Sequence, residues 1–117
     1  MTEVGLNSVF SALADPTRRG ILERLGRGDA TVSELAEPFD ISLPAISRHL
    51  KVLEQAGLIT RARRSQWITS TLHTAPLDAA DAWMAQVRLL WSARFDRLDV
   101  HLQQVKRRSG ESSPGNQ

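Results

Sequence analysis

Ser42-Leu43-Pro44-Ala45-Ile46-Ser47-Arg48-His49-Leu50-Lys51-Val52-Leu53-Glu54-Gln55-Ala56-Gly57-Leu58-Ile59 reads as one helix with its start and its stop both written in. Ser42 can cap the first backbone N–H groups, and Pro44 suits an opening turn in which its missing donor has no partner to lose. Gly57 can take the left-handed conformation that closes a helix. Between these ends Ile46, Leu50 and Leu53 recur at helical spacing, with Val52 beside them, and can be buried together. Ser42, Leu43, Pro44, Ala45, Ser47, Arg48, His49 and Lys51 are then left to touch something else.

Charge placement says what that partner is. From Ser42 to Gln66 five cationic residues (Arg48, Lys51, Arg61, Arg63, Arg64) stand against one acid, Glu54, so the stretch carries +4 while the rest of the chain sums to −2. A near-neutral body with one basic edge fits a polyanion met on one side, and double-stranded DNA is the expected partner. The exposed positions suit groove work. Ser47 and His49 can hydrogen-bond phosphates or base edges, Arg48 can hold guanine bidentately or clamp a phosphate, and Pro44 with Ala45 can meet a thymine methyl.

Upstream, Leu6, Val9, Phe10 and Leu13 step by three and four, predicting a short helix that stops at Asp15-Pro16. Asp15 then caps a second helix with Pro16 at its first position, Ile21, Leu22 and Leu25 as its apolar stripe, and Gly26 or Gly28 at its end. Thr31-Val32-Ser33-Glu34 has the form of a capping box and opens a third helix that buries Val32, Leu35, Ala36 and Phe39. Only the residues around Pro38 to Ile41 separate it from the Ser42 helix. Two short helices joined so tightly form a helix-turn-helix arrangement, whose second helix is offered to the major groove.

Downstream the period changes. Leu58-Ile59-Thr60-Arg61-Ala62 and Trp67-Ile68-Thr69-Ser70-Thr71-Leu72 are rich in β-branched residues and flank Arg63-Arg64-Ser65-Gln66, predicting a hairpin with a polar, basic tip. Such a hairpin is a wing: Arg61, Arg63 and Arg64, with Gln66, would track phosphates, one arginine entering the minor groove. Trp67 is expected to anchor the hairpin on the core. From Pro76 to about Val105 the helical period returns for roughly 45 Å. Leu77, Ala80, Met84, Val87, Trp91, Leu98, Leu102 and Val105 form one stripe, widened by Trp83, Leu90 and Phe95. A domain this small cannot cover so long an apolar helix, so the stripe is expected to pair with a second copy.

The 117 residues, 41% of them hydrophobic, fit one small domain over residues 1–105, mainly α with a small β-hairpin, followed by a Gly, Ser, Pro and charge-rich tail over 106–117 expected to be disordered. The chain has no cysteine, which removes disulfides, thiolate ligands and thiol redox sensing. No apolar run approaches the ~20 residues of a membrane span, and the N-terminus lacks a signal-peptide pattern, so a cytoplasmic protein is expected. Catalysis is not expected either. Ser47 and His49 are rotated by roughly 200° around their helix and cannot share a short hydrogen bond, while His73 and His101 have no matching partners nearby in sequence.

Asp15-Pro16-Thr17-Arg18-Arg19-x-Ile21-Leu22, Val32-Ser33-Glu34-Leu35-Ala36 and the Ser42 to Ile59 run together resemble the ArsR-type winged helix-turn-helix transcriptional regulators, over about residues 6–104. The resemblance implies a homodimeric, operator-binding regulator, usually a repressor of its own operon. It places Leu43, Pro44, Ala45, Ser47, Arg48 and His49 against base edges and phosphates. It implies a dimer interface built from the first and last helices, here Leu6, Val9, Phe10, Leu13, Met84, Val87, Trp91, Phe95, Leu98 and Leu102. Metal-sensing relatives carry a Cys-x-Cys site in the third helix or Asp-x-His in the last helix with a downstream His-x-x-Glu or His-x-x-His. Here Thr31 to Ala36 has no thiol, and Asp99-Val100-His101 lacks its second half between Glu111 and Gly115. The sequence therefore resembles the metal-independent branch, with no metal and no cofactor expected and no effector specified. The competing reading is a winged-helix protein-interaction module without a specific operator.

Overall fold

The computed structural model describes residues 3–108, with side chains from Gly5 onward. In chain order the elements are α1 (Glu3–Leu13), α2 (Pro16–Leu25), β1 (Ala30–Thr31), α3 (Val32–Ala36), α4 (Leu43–Gln55), β2 (Ile59–Arg64), β3 (Trp67–Leu72) and α5 (Ala75–Arg108). The chain divides into two units, Met1–Asp81 and Ala82–Gln117.

The helix boundaries follow local chemistry. Asp15 Oδ2 accepts from Arg18 N at 3.1 Å to start α2, with Pro16 in the first turn. At α3 the capping box is complete: Glu34 N donates to Thr31 Oγ1 at 3.3 Å and Thr31 N donates to Glu34 Oε1 at 2.8 Å. Ser42 Oγ accepts from Ala45 N at 3.3 Å to start α4. Its other end closes around Gly57, whose φ of +77° is open to a residue without Cβ. There Gly57 N donates to Glu54 O and Leu58 N to Leu53 O, both at 3.0 Å. These are the paired bonds that satisfy the last carbonyls of a helix, and Leu58 packs into the core with Leu53.

Ile21, Leu35, Ile46, Leu50, Leu53 and Leu58 are fully buried and hold α2, α3, α4 and the root of the hairpin together. Truncating any of these to alanine should cost roughly 2–5 kcal/mol. Phe39 lies beyond the end of the short α3 yet still packs against this core, its ring over Gly20, where no Cβ stands in the way. A side chain at Gly20 would meet the Phe39 ring at 2.8 Å.

Four sequence expectations are corrected. First, the hairpin is part of a three-stranded antiparallel sheet in the order β1-β3-β2, because Ala30 and Thr31 pair with Ser70 and Thr69. Second, Arg63 and Arg64 lie in β2, opposite Ile68 and Trp67, and the tip is only Ser65-Gln66. A two-residue connection needs a positive φ, and Ser65 supplies it at +58°. Third, Trp67 is 53% exposed, since it stands beside the tip rather than over the core. Fourth, α5 continues through Lys106, Arg107 and Arg108, whose charges suit the negative end of a helix, so the expected tail does not begin at Lys106. Residues 109–117 of that expected tail lie outside the described residues.

Candidate nucleic-acid interface

Helix α4 packs against α1, α2, α3 and β2, and that contact decides which of its side chains are free. Ile46, Leu50 and Leu53 face inward. Arg48 projects roughly 160° around the helix from them, and Pro44, Lys51 and Gln55 fall on the same outward side. All four are exposed, as is Leu43 at the first turn. Ser47 borders this face on one side, with Ala45 and His49 on the other, and these three are half-buried. The predicted contact residues are thus brought onto one outward surface with graded accessibility.

His49 differs from the expectation of a free groove contact. Its Nδ1 lies 3.2 Å from Arg18 Nη1 and 3.9 Å from Asp15 Oδ2. A guanidinium only donates, so in the shorter contact Nδ1 accepts, and Nε2 is the nitrogen that carries the proton. Arg18 also donates from Nε to Ala12 O at 2.8 Å and from Nη2 to Ser11 O at 3.0 Å. The Asp15 carboxyl is held below its ordinary pKa, chiefly by the Arg18 backbone N–H, with the positive charge of the Arg18 guanidinium adding to it. Sequence reasoning read Asp15 only as a cap and missed Arg18. The one available signal was an arginine three residues after that cap.

On the hairpin the arginines separate. Arg61 donates to Glu54 Oε1 from Nη2 at 3.1 Å and from Nε at 3.3 Å, and is half-buried. It ties β2 to the end of α4, where the sequence suggested a phosphate contact. Arg63, Arg64 and Gln66 are exposed. Directly opposed residues in an antiparallel pair share a face, so Arg64 stands with Trp67 and Arg63 with Ile68. Ile68 is also exposed.

Of the α1 residues expected at a dimer interface, Val9 is completely buried and has no surface to share, whereas Leu6, Phe10 and Leu13 are half-buried. On α5, Leu89, Leu90, Trp91, Phe95, Leu98, Val100 and Leu102 are each more than half exposed, and Met84 is 38% exposed. Val87 is half-buried. His73 accepts or donates a bond with Thr60 Oγ1 at 3.0 Å, and Asp99 accepts from Gln103 at 3.3 Å. Among the described residues no three His, Asp or Glu side chains come together as a metal site, and no helix is long and apolar enough to cross a membrane.

Comparison with known proteins finds relatives of this chain. Residues 13–62 match a helix-turn-helix domain family. The transcriptional repressor SdpR of Bacillus subtilis (strain 168) is 47% identical over 68% of this chain and 88% of its own length. The arsenical resistance operon repressor of Escherichia coli (strain K12) is 31% identical over 89% of each chain. A crystal structure of an ArsR family transcriptional regulator superposes with a TM-score of 0.75 at 44% identity, covering 79% of this chain and 95% of that one. An ArsR-like transcriptional regulator from Rhodococcus sp. RHA1 gives 0.68 at 32% identity, over 87% and 92%.

Proposed function

This chain belongs to the ArsR family of winged helix-turn-helix transcriptional regulators and is a sequence-specific DNA-binding regulator, and we propose that it acts as a cytoplasmic homodimeric repressor of its own operon. Each subunit would lay α4 in a major groove of an inverted-repeat operator, with the hairpin against the flanking backbone. The observation that carries this reading is the outward face of α4, where Pro44, Arg48 and Lys51 stand clear of the core. The apolar faces offered by Leu6, Phe10 and Leu13 of α1, and by Met84, Trp91, Phe95, Leu98 and Leu102 of α5, support pairing with a second copy. On the wing, Arg63 and Arg64 of β2 hold phosphates, with Gln66 of the tip and Trp67 of β3 beside them.

The test separates reading from holding. Arg48→Ala should cost about 1–3 kcal/mol on operator DNA and relax preference at one base pair. Arg63→Ala or Arg64→Ala should weaken operator and scrambled DNA alike and lower the log-log salt slope by about one per lost contact in each subunit. Arg61→Ala should change that slope less, because Glu54 already holds its guanidinium. Affinities for both duplexes across a salt series decide it. An Arg48 variant that behaved like the wing variants would move base reading to other residues of α4.

A further inference from the structure

We infer that Arg18 is a positioning residue for DNA reading: anchored on the last turn of α1, its guanidinium holds the His49 ring so that Nε2–H is a fixed donor to an acceptor atom on DNA. The inference rests on the proposal that α4 faces DNA, and deepens it by naming how one contact is set.

The geometry is a three-way fork. Nε donates to the Ala12 carbonyl and Nη2 to the Ser11 carbonyl in the final turn of α1, where Ser11 O also accepts from Ala14 N at 3.2 Å. The remaining arm, Nη1, reaches His49 Nδ1 at 3.2 Å. The base of the side chain is fixed as well, because the Arg18 backbone N–H is held by Asp15. A planar group bonded on three sides cannot turn without breaking a bond, so the imidazole is oriented through Nδ1 and its proton assigned to Nε2. His49 sits at the flank of the outward face, one residue from Arg48. As a donor it matches guanine N7 or O6, adenine N7, thymine O4 or a phosphate oxygen, and it opposes the cytosine amino group. The same fork links α1 and α4 through one side chain of α2, Arg18 and His49 being 31 residues apart in sequence.

The test is a double-mutant cycle on the full chain. The probes are a duplex enriched by the parent protein from random DNA and a scrambled duplex of equal length, at one salt concentration. Arg18→Lys keeps the charge but loses the planar fork, and His49→Ala removes the ring. Each should lower the preference for the enriched duplex by about tenfold, and the double variant should lose no more than the worse single. A double variant that falls by the product of the two would overturn the proposal, leaving Arg18 as a cap on α1. His49→Asn guards against unfolding, since its amide oxygen can stand near the Nδ1 position for Arg18 while the outward donor is gone. It should melt near the parent and still lose the preference; retained preference would overturn the proposal. Absence of any preference in the parent would instead refute the reading of α4 itself.

Discussion

Asp15 caps α2 and also faces His49, so its charge bears on both the fold and the α4 surface. Because its carboxyl is held below the ordinary pKa in the folded chain, folding favours the ionised form. That contribution is complete above the unfolded pKa, near 4, and is lost as pH falls through the lower folded value. Asp15→Asn keeps a capping oxygen without the charge. Its thermal midpoint should lie below the parent's at pH 7, and the gap should narrow as the pH is lowered toward about 3. A gap that stays constant with pH would remove the charge from the account. Residues of this kind differ in how far sequence exposes them. The caps at Asp15, Thr31 and Ser42 were legible because a cap bonds only three residues away. The Arg18–His49 contact was not, because it exists only once α2 and α4 have packed.

Among the elements, α4 was legible to within a residue because cap, proline, apolar period and Gly57 all agree on one helix. The hairpin was legible as a pair of strands but not in its register. A four-residue tip was expected, and a two-residue turn extends β2 through Arg63 and Arg64. β1 was invisible, since two residues carry no period and pair only through distant Ser70 and Thr69. The short turn leaves Ser65 at φ +58°, a conformation that costs a residue with Cβ roughly 1–2 kcal/mol. Glycine removes that strain but loses about 0.5–1 kcal/mol more in conformational entropy. Ser65→Gly should therefore stabilise the protein by about 0.5–1 kcal/mol in denaturant unfolding, with the slope unchanged. Destabilisation would show that the serine side chain contributes something at the tip beyond its backbone.

At the scale of the whole molecule, the apolar stripe of α5 was legible from spacing but is not uniform: Ala80 is buried and Leu77 packs against the core, whereas Met84, Trp91, Phe95, Leu98 and Leu102 are exposed. What spacing could not separate was α1 residues that face outward from Val9, which the chain buries itself. Sedimentation at micromolar concentration should give twice the chain mass, and Trp91→Glu should weaken association by at least about 2 kcal/mol. A parent that sediments as a stable monomer would remove the basis for a two-fold operator. The central claim, a dimer that reads an inverted repeat with two α4 helices, is tested most directly by selecting random duplexes with the purified protein and sequencing those retained. One enriched motif is expected, with two inverted half-sites whose centres lie about one helical turn, ~34 Å, apart. Retained DNA with no shared motif, or with a single unpaired half-site, would contradict it.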